Sequence, residues 1–234
     1  MAARGLTPKI VGVIFSPADL ARAIRLRSAP DLFELRLDAL GEILDRLEAS
    51  LPKLAAPLII TARDPREGGA HALAESQRRA LLERFLSCAS YLDVELRGAR
   101  NFAAILAAGR SRAVRLIFSF HDFGSMPAAA ALSRKSESAA RLGADIFKIA
   151  VRVDTSAQLD RLLAFFDENS ATVPLAAMGM GVLGRQSRLE LARRGSALNY
   201  AHLGVPQAEG QLSLAQLRAA LRNHLSERQA PSRP

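Results

Sequence analysis

Asp145-Ile146-Phe147-Lys148-Ile149-Ala150-Val151 is an apolar, strand-like run with one lysine at its centre. Side chains alternate along a strand, so Ile146, Lys148 and Ala150 share one face while Phe147, Ile149 and Val151 share the other. A lysine is costly to bury unless it is paired or used. Facing a dry cavity it is driven toward the free amine, which can attack a ketone or aldehyde and form a Schiff base. Near a strand end, its stem can instead cover apolar surface while its ammonium reaches water. The segment alone fits both readings, and its neighbours have to decide.

Working outward from it, apolar and β-branched runs predict strands at 9–15, 32–37, 57–62, 91–96, 114–120, 173–178 and 198–203. Helical spacing separates them: 17–26 behind Ser16 as N-cap and Pro17 as first helical residue, then 40–51, 76–89, 102–108, an alanine-rich helix ending at Gly143, 156–166 and 214–225. Arg185, Arg188, Arg193 and Arg194 lie in another helix-like stretch. Regular strand-helix alternation with short connections implies parallel strands and helical crossovers. Eight such units in 234 residues predict a (β/α)8 TIM barrel of the α/β class, one domain over residues 1–234 with a polar tail after about residue 226. A doubly wound open sheet is the alternative, but the GxGxxG that would follow its first strand is absent.

The faces of these strands carry the functional information. Glu34 and Arg36 fall together in the second strand, Thr61 and Arg63 in the third, Asp93 and Glu95 in the fourth, Ser119 and His121 in the fifth. Each opposite face is apolar and must meet the helices, so the charged face points into the barrel. Barrel interiors are ordinarily filled with branched apolar side chains. A single pair, Glu34 with Arg36 for example, could be a structural brace. Five neighbouring strands with polar inward faces, mostly near their C-terminal ends, predict an enzyme site instead.

Composition narrows the class. Charged residues make up 24% of the chain and hydrophobic ones 49%, as in ordinary globular proteins. The lone Cys88 permits no internal disulfide, and no signal-peptide core or membrane-length apolar run is present, so a cytoplasmic protein is expected with no membrane partner. A net charge of +9 could attract an anionic metabolite or a nucleic acid. Aromatic residues at 5%, with no tryptophan, leave few stacking platforms, so no nucleic-acid partner is expected.

Ordered segments then add a resemblance: Glu34-Leu35-Arg36-Leu37-Asp38; Thr61-Ala62-Arg63 with Glu67-Gly68-Gly69; Ser119-Phe120-His121-Asp122-Phe123; the Lys148 strand; Met180 through Arg188; and Gly210-Gln211. Over nearly its whole length the chain resembles type I 3-dehydroquinate dehydratase, a Schiff-base lyase of the shikimate pathway. The resemblance implies that Lys148 condenses with the C3 ketone of 3-dehydroquinate and that His121 moves the C2 proton. Glu67 would orient His121, Arg188 would bind the substrate carboxylate, and Glu34, Arg36, Arg63 and Gln211 would hold ring hydroxyls and balance charge. It implies no metal and no organic cofactor, a single activity, and association as a homodimer. In the family's loop after the eighth strand a serine grips substrate; Gln207 stands there, still able to donate a hydrogen bond, and Glu209 replaces a proline, bringing negative charge near an anionic substrate.

Three further expectations rest on the residues themselves. Arg36 and Arg63 beside Lys148 would favour its free amine. Gly68-Gly69 would let residues 64–74 fold over the mouth as a lid. Gly179, Gly181 and Gly184 would form a phosphate nest. The nest motivates a runner-up, a class I aldolase or transaldolase acting on a phosphorylated sugar, and a non-catalytic anion-binding barrel is a third reading.

Overall fold

The structure is a computed structural model that describes residues 8–229. Eight strands alternate with eight helices. They are β1 (Lys9–Ile14), α1 (Pro17–Arg25), β2 (Leu32–Arg36), α2 (Leu44–Ser50), β3 (Leu58–Thr61), α3 (Glu75–Phe85), β4 (Ala89–Glu95) and α4 (Ala103–Ser111) in the first half. The second half comprises β5 (Arg115–Asp122), α5 (Ala129–Arg141), β6 (Ile146–Arg152), α6 (Ser156–Asn169), β7 (Leu175–Met180), α7 (Gly184–Arg193), β8 (Leu198–His202) and α8 (Leu214–Gln229). Every ladder is parallel, in the order β7-β6-β5-β4-β3-β2-β1-β8. The ring is nearly closed at the β7–β8 seam, where the Ala197 N–H donates to Leu175 O at 2.7 Å.

Local sequence sets these elements. Ser16 Oγ accepts from the Asp19 N–H at 3.1 Å and Pro17 opens α1, so the expected cap is present. Thr155 and Gln158 form a reciprocal capping box on α6. Several expected boundaries shift. Residues 40–51 divide into a short 3₁₀ turn, α2 and a second 3₁₀ turn around Pro52, whose ring cannot continue a regular helix. Helix α3 stops at Phe85 and Ala89 already belongs to β4. Helix α8 continues past residue 225 to Gln229, so the expected polar tail begins within it; residues 230–234 lie outside those described.

Two apolar layers frame the barrel wall. Phe33, Leu35, Ile60, Leu92, Val94, Leu116, Phe118, Phe147 and Ile149 point outward and pack under the helices. Val11, Leu32, Ile59, Tyr91, Ile117, Ile146, Ala176 and Leu198 form a separate inner floor. One step further along the strands the interior turns polar, at Glu34, Thr61, Asp93, Ser119 and Lys148, all buried. The floor keeps water out from below, so chemistry is confined to the C-terminal mouth.

Candidate active site

A cavity of about 160 Å³ opens above that floor. Glu34, Arg36, Arg63, Glu67, His121, Lys148, Arg188, Gln207 and Gln211 all line it, so the residues singled out in the sequence converge on one place. Val13, Phe15, Met178, Met180 and Tyr200 supply apolar walls.

Lys148 reaches this cavity from the middle of β6. Its Nζ donates to Asp93 Oδ2 at 2.9 Å and to Glu34 Oε1 at 3.2 Å, and lies 4.1 Å from the centroid of the Tyr200 ring. The sequence placed arginines beside it, but its hydrogen-bond partners are carboxylates. Arg36 instead forks onto Asp38 at 3.0 and 2.8 Å, while Arg63 donates to Asp93, Glu95 and the Ser119 hydroxyl. Glu34 therefore pairs with Lys148 and not with Arg36. The two share a strand face but sit at different levels of the barrel, and Arg36 is one level nearer the mouth.

These contacts belong to an alternating network. Arg78 from α3 pairs with Glu95 and Asp64, Glu95 with Arg63, Arg63 with Asp93, and Asp93 with Lys148. Each charge is buried and each is matched, as burial requires. Arg63 and Lys148 hold the Asp93 carboxyl well below its ordinary pKa despite burial, which acts in the opposite sense. Asp93 thus touches the reactive lysine, although the sequence marked it only as an inward-facing residue of the fourth strand. Its place on the same charged face as Glu95 was the available signal.

His121 projects from the end of β5, which runs on through Asp122, beyond the expected strand end at 120. Its backbone N–H donates to Glu67 Oε2 at 2.9 Å, and its Nδ1 lies 3.1 Å from the same oxygen. Burial, with Arg63 and Lys148 nearby, drives its pKa well below the usual histidine range, so the ring is neutral at neutral pH. Burial and the Glu95 carboxylate push Glu67 the other way, up to about 7. When Glu67 is ionised, Nδ1 donates to it and Nε2 is left bare as a base. Protonated Glu67 reverses the tautomer.

Glu67 stands on a loop that the site itself anchors. Asp64 caps a 3₁₀ turn over Pro65–Glu67, and Gly68 follows with φ +86°, a conformation that disfavours any Cβ. Arg36 donates to Gly68 O at 3.1 Å and the Ala70 N–H donates to Asp38 Oδ2 at 2.9 Å, tying the loop across the rim.

Arg188 comes from α7, is 8% exposed, and forms no ion pair among the described residues. Its buried Nε has no hydrogen-bond partner, and desolvation draws its pKa down to about 10. An unmatched buried cation beside a cavity calls for an anion. The glycine nest has most of its donors engaged within the chain. The Gly179 N–H is held by Ser187 Oγ at 3.0 Å, the Gly184 N–H by Gly181 O at 2.8 Å, and the Val182 N–H by the Asp154 carboxylate at 2.9 Å.

On the β8–α8 loop, Gln211 Oε1 accepts from the Gln207 N–H at 2.7 Å, while Gln207 Nε2 donates to Val205 O at 2.6 Å. Glu209 differs from expectation: it is exposed, lies 3.8 Å from Arg152, and does not line the cavity. His71 is exposed on an outer groove, and His202 borders a groove between α1 and α8.

Comparison with known proteins agrees with the geometry. Residues 16–227 match the family model described as Type I 3-dehydroquinase. The chain is 31% identical to the 3-dehydroquinate dehydratase of Methanothrix thermoacetophila, over 92% of each chain. It is 34% identical to that of Shouchella clausii, over 82% of this chain and 80% of the other. Among solved structures it resembles the 3-dehydroquinate dehydratase of Geobacillus kaustophilus, with TM-score 0.84, 28% identity, and 97% and 93% of the two chains covered. It also resembles a Clostridium difficile type I 3-dehydroquinate dehydratase described with covalently modified comenic acid, at TM-score 0.83 and 25% identity, covering 97% and 98%.

Proposed function

The chain belongs to the type I 3-dehydroquinase family and is a hydro-lyase acting on 3-dehydroquinate, and from that premise we propose that it works through an imine on Lys148 and serves the shikimate pathway as a cytoplasmic homodimer. The observation that carries the mechanism is the clamp on Lys148, whose Nζ lies between Asp93 and Glu34 at the base of the cavity.

Condensation with the C3 ketone is, in sum, R–NH3⁺ + O=C giving R–NH⁺=C + H2O. Charge is conserved at nitrogen, so the carboxylates that hold the ammonium also hold the iminium. The iminium draws electrons from the adjacent C2–H bond and makes that proton far more acidic. His121 Nε2, bare while Glu67 is ionised, takes the proton as general base. The resulting enamine expels the C1 hydroxyl as water, with His121 returning the proton as general acid. Water then hydrolyses the product imine to 3-dehydroshikimate and free Lys148. Arg188 offers the substrate carboxylate an otherwise unmatched cation. Gln207 and Gln211 face the ring hydroxyls from the rim, Arg36 from β2. Arg63 gives all its described bonds to protein, so its part is charge balance.

The aldolase reading is weakened, because Gly179 and Gly184, two of the three nest glycines, have their N–H groups engaged within the chain, as has Val182 between them. Borohydride reduction in the presence of 3-dehydroquinate, read by intact mass and peptide mapping, tests the proposal. A reduced adduct on Lys148, absent from Lys148→Ala, is expected. A folded chain that turns over substrate without any trappable adduct rules out the imine, and one with neither turnover nor adduct is the anion-binding barrel.

A further inference from the structure

Tyr200, on β8, is buried, and its hydroxyl finds no hydrogen-bond partner among the described residues. Its ring carries the Lys148 ammonium 4.1 Å from the centroid. A buried hydroxyl without a partner is costly and asks for a reason.

The donor count around Lys148 supplies one. An ammonium has three N–H donors, and two of them serve Asp93 Oδ2 and Glu34 Oε1. When the ketone condenses, two of the three hydrogens leave in the water and the iminium keeps a single N–H. One carboxylate then loses its lysine donor. Asp93 is the closer of the two and also keeps Arg63 and the Ser119 hydroxyl. Glu34 keeps one hydrogen bond, from the Thr61 hydroxyl at 2.9 Å, with Arg63 no nearer than 4.0 Å. The charged group left short at the imine stage is therefore Glu34.

We propose that the Tyr200 hydroxyl is the replacement donor, turning to Glu34 when Lys148 becomes an iminium, so that Tyr200 is a positioning residue for the covalent stage of the reaction. Burial first, then the Glu34 and Asp93 carboxylates, push the phenol well above its ordinary pKa, so it remains a donor across the working pH range. The other hydroxyls at this level are already committed: Thr61 to Glu34 and Ser119 to Asp93. The hydroxyl has no acceptor within reach in the free protein, so the Glu34 carboxylate released by the lysine swings toward it, while the ring faces a cation before and after condensation.

This inference rests on the imine reading above, and Tyr200→Phe separates the two because it keeps the ring and removes only the donor. The free enzyme should melt at the native temperature or above it, since the hydroxyl is unpartnered there. The kcat should fall roughly tenfold with KM within about twofold, the loss expected for one hydrogen bond to a charged group. The fraction of enzyme trapped by borohydride at saturating substrate should fall with kcat. In a Glu34→Gln background, Tyr200→Phe should cost little more, because the charge it serves is gone. Native kcat and native adduct yield in Tyr200→Phe, or full additivity with Glu34→Gln, overturns the donor exchange while leaving the imine intact. Absence of an adduct from the native chain itself overturns both.

Discussion

Glu67→Gln sets stability against catalysis in a way that depends on pH. Glu67 is pushed from 4.5 to about 7, first by burial and then by Glu95. A group whose folded pKa is raised contributes stability that is complete below its unfolded pKa and is lost as pH rises through the folded one. The distance from 4.5 to about 7 corresponds to about 3 kcal/mol at 1.36 kcal/mol per pH unit. Near pH 4 the glutamine is close in shape and charge to the protonated acid, and the two proteins should have similar stability. Near pH 8.5 the variant should be the more stable by up to about 3 kcal/mol, measured by urea unfolding across this range. Catalysis should move the other way. The oxygen that Nδ1 faces also accepts the His121 backbone N–H, so in the variant the amide oxygen takes that place; Nδ1 stays the donor, but the negative charge that supports the imidazolium formed when Nε2 takes the proton is lost. A kcat loss of about tenfold to a hundredfold is expected, part of what a positioned acid-base group contributes. Native kcat/KM should carry an acid limb near pH 7, read from absorbance of the conjugated enone product, and the variant should lack it. A variant that keeps that limb, or that gains no stability at high pH, refutes Glu67 as the group that sets the His121 tautomer.

Two other substitutions test the clamp and the unmatched cation. Lys148→Met leaves Glu34 Oε1 and Asp93 Oδ2 without their shared cation, and should destabilise by about 3–5 kcal/mol in denaturant titration at pH 7 while abolishing turnover; unchanged stability would mean the clamp is not formed. Arg188→Met removes a cation whose pKa burial has lowered to about 10 from 12.5, so the free protein should gain up to about 3 kcal/mol while KM rises by about a hundredfold. A native KM would show that the substrate carboxylate binds elsewhere.

Alternation makes the barrel interior legible in the sequence. Parallel strands bury both faces, so a face carrying Glu34 and Arg36, or Asp93 and Glu95, has nowhere to go but inward once its opposite face is apolar. That argument cannot say who pairs with whom. Neighbouring strands are staggered, with Ser119 beside Lys148 and Arg36 beside Thr61, so partners are chosen across the barrel at a level that sequence spacing does not encode. Hence Lys148 meets carboxylates where arginines were expected, and Asp93 gained its role only from the fold. Glu67 and Arg188 lie off the strands, on a loop and on α7, where no face argument reaches; only the resemblance pointed to them. The glycines after β7 meet a related limit, since composition shows that a nest can form but not that Ser187 holds the Gly179 N–H and Asp154 that of Val182.

Satisfaction of polar groups separates brace from site inside this barrel. The Arg78–Glu95–Arg63–Asp93 chain is matched at every step, and it holds β3, β4 and α3 in register. A purely structural interior would continue that pattern to the mouth, because each unmatched buried group lowers stability and selection for folding alone has no use for it. It does not continue. Arg188 lacks a counter-ion, the Tyr200 hydroxyl lacks an acceptor, and Glu67 is held near the point of ionisation beside a neutral histidine. All three line one cavity, around the one lysine among its lining residues. What they lack is what an anionic ketone provides in sequence: a carboxylate for Arg188, a change in donor count at Lys148 for Tyr200, and an acidified C–H for His121. The deficits of the free protein thus describe its substrate, and the matched charges beneath them keep that arrangement in place.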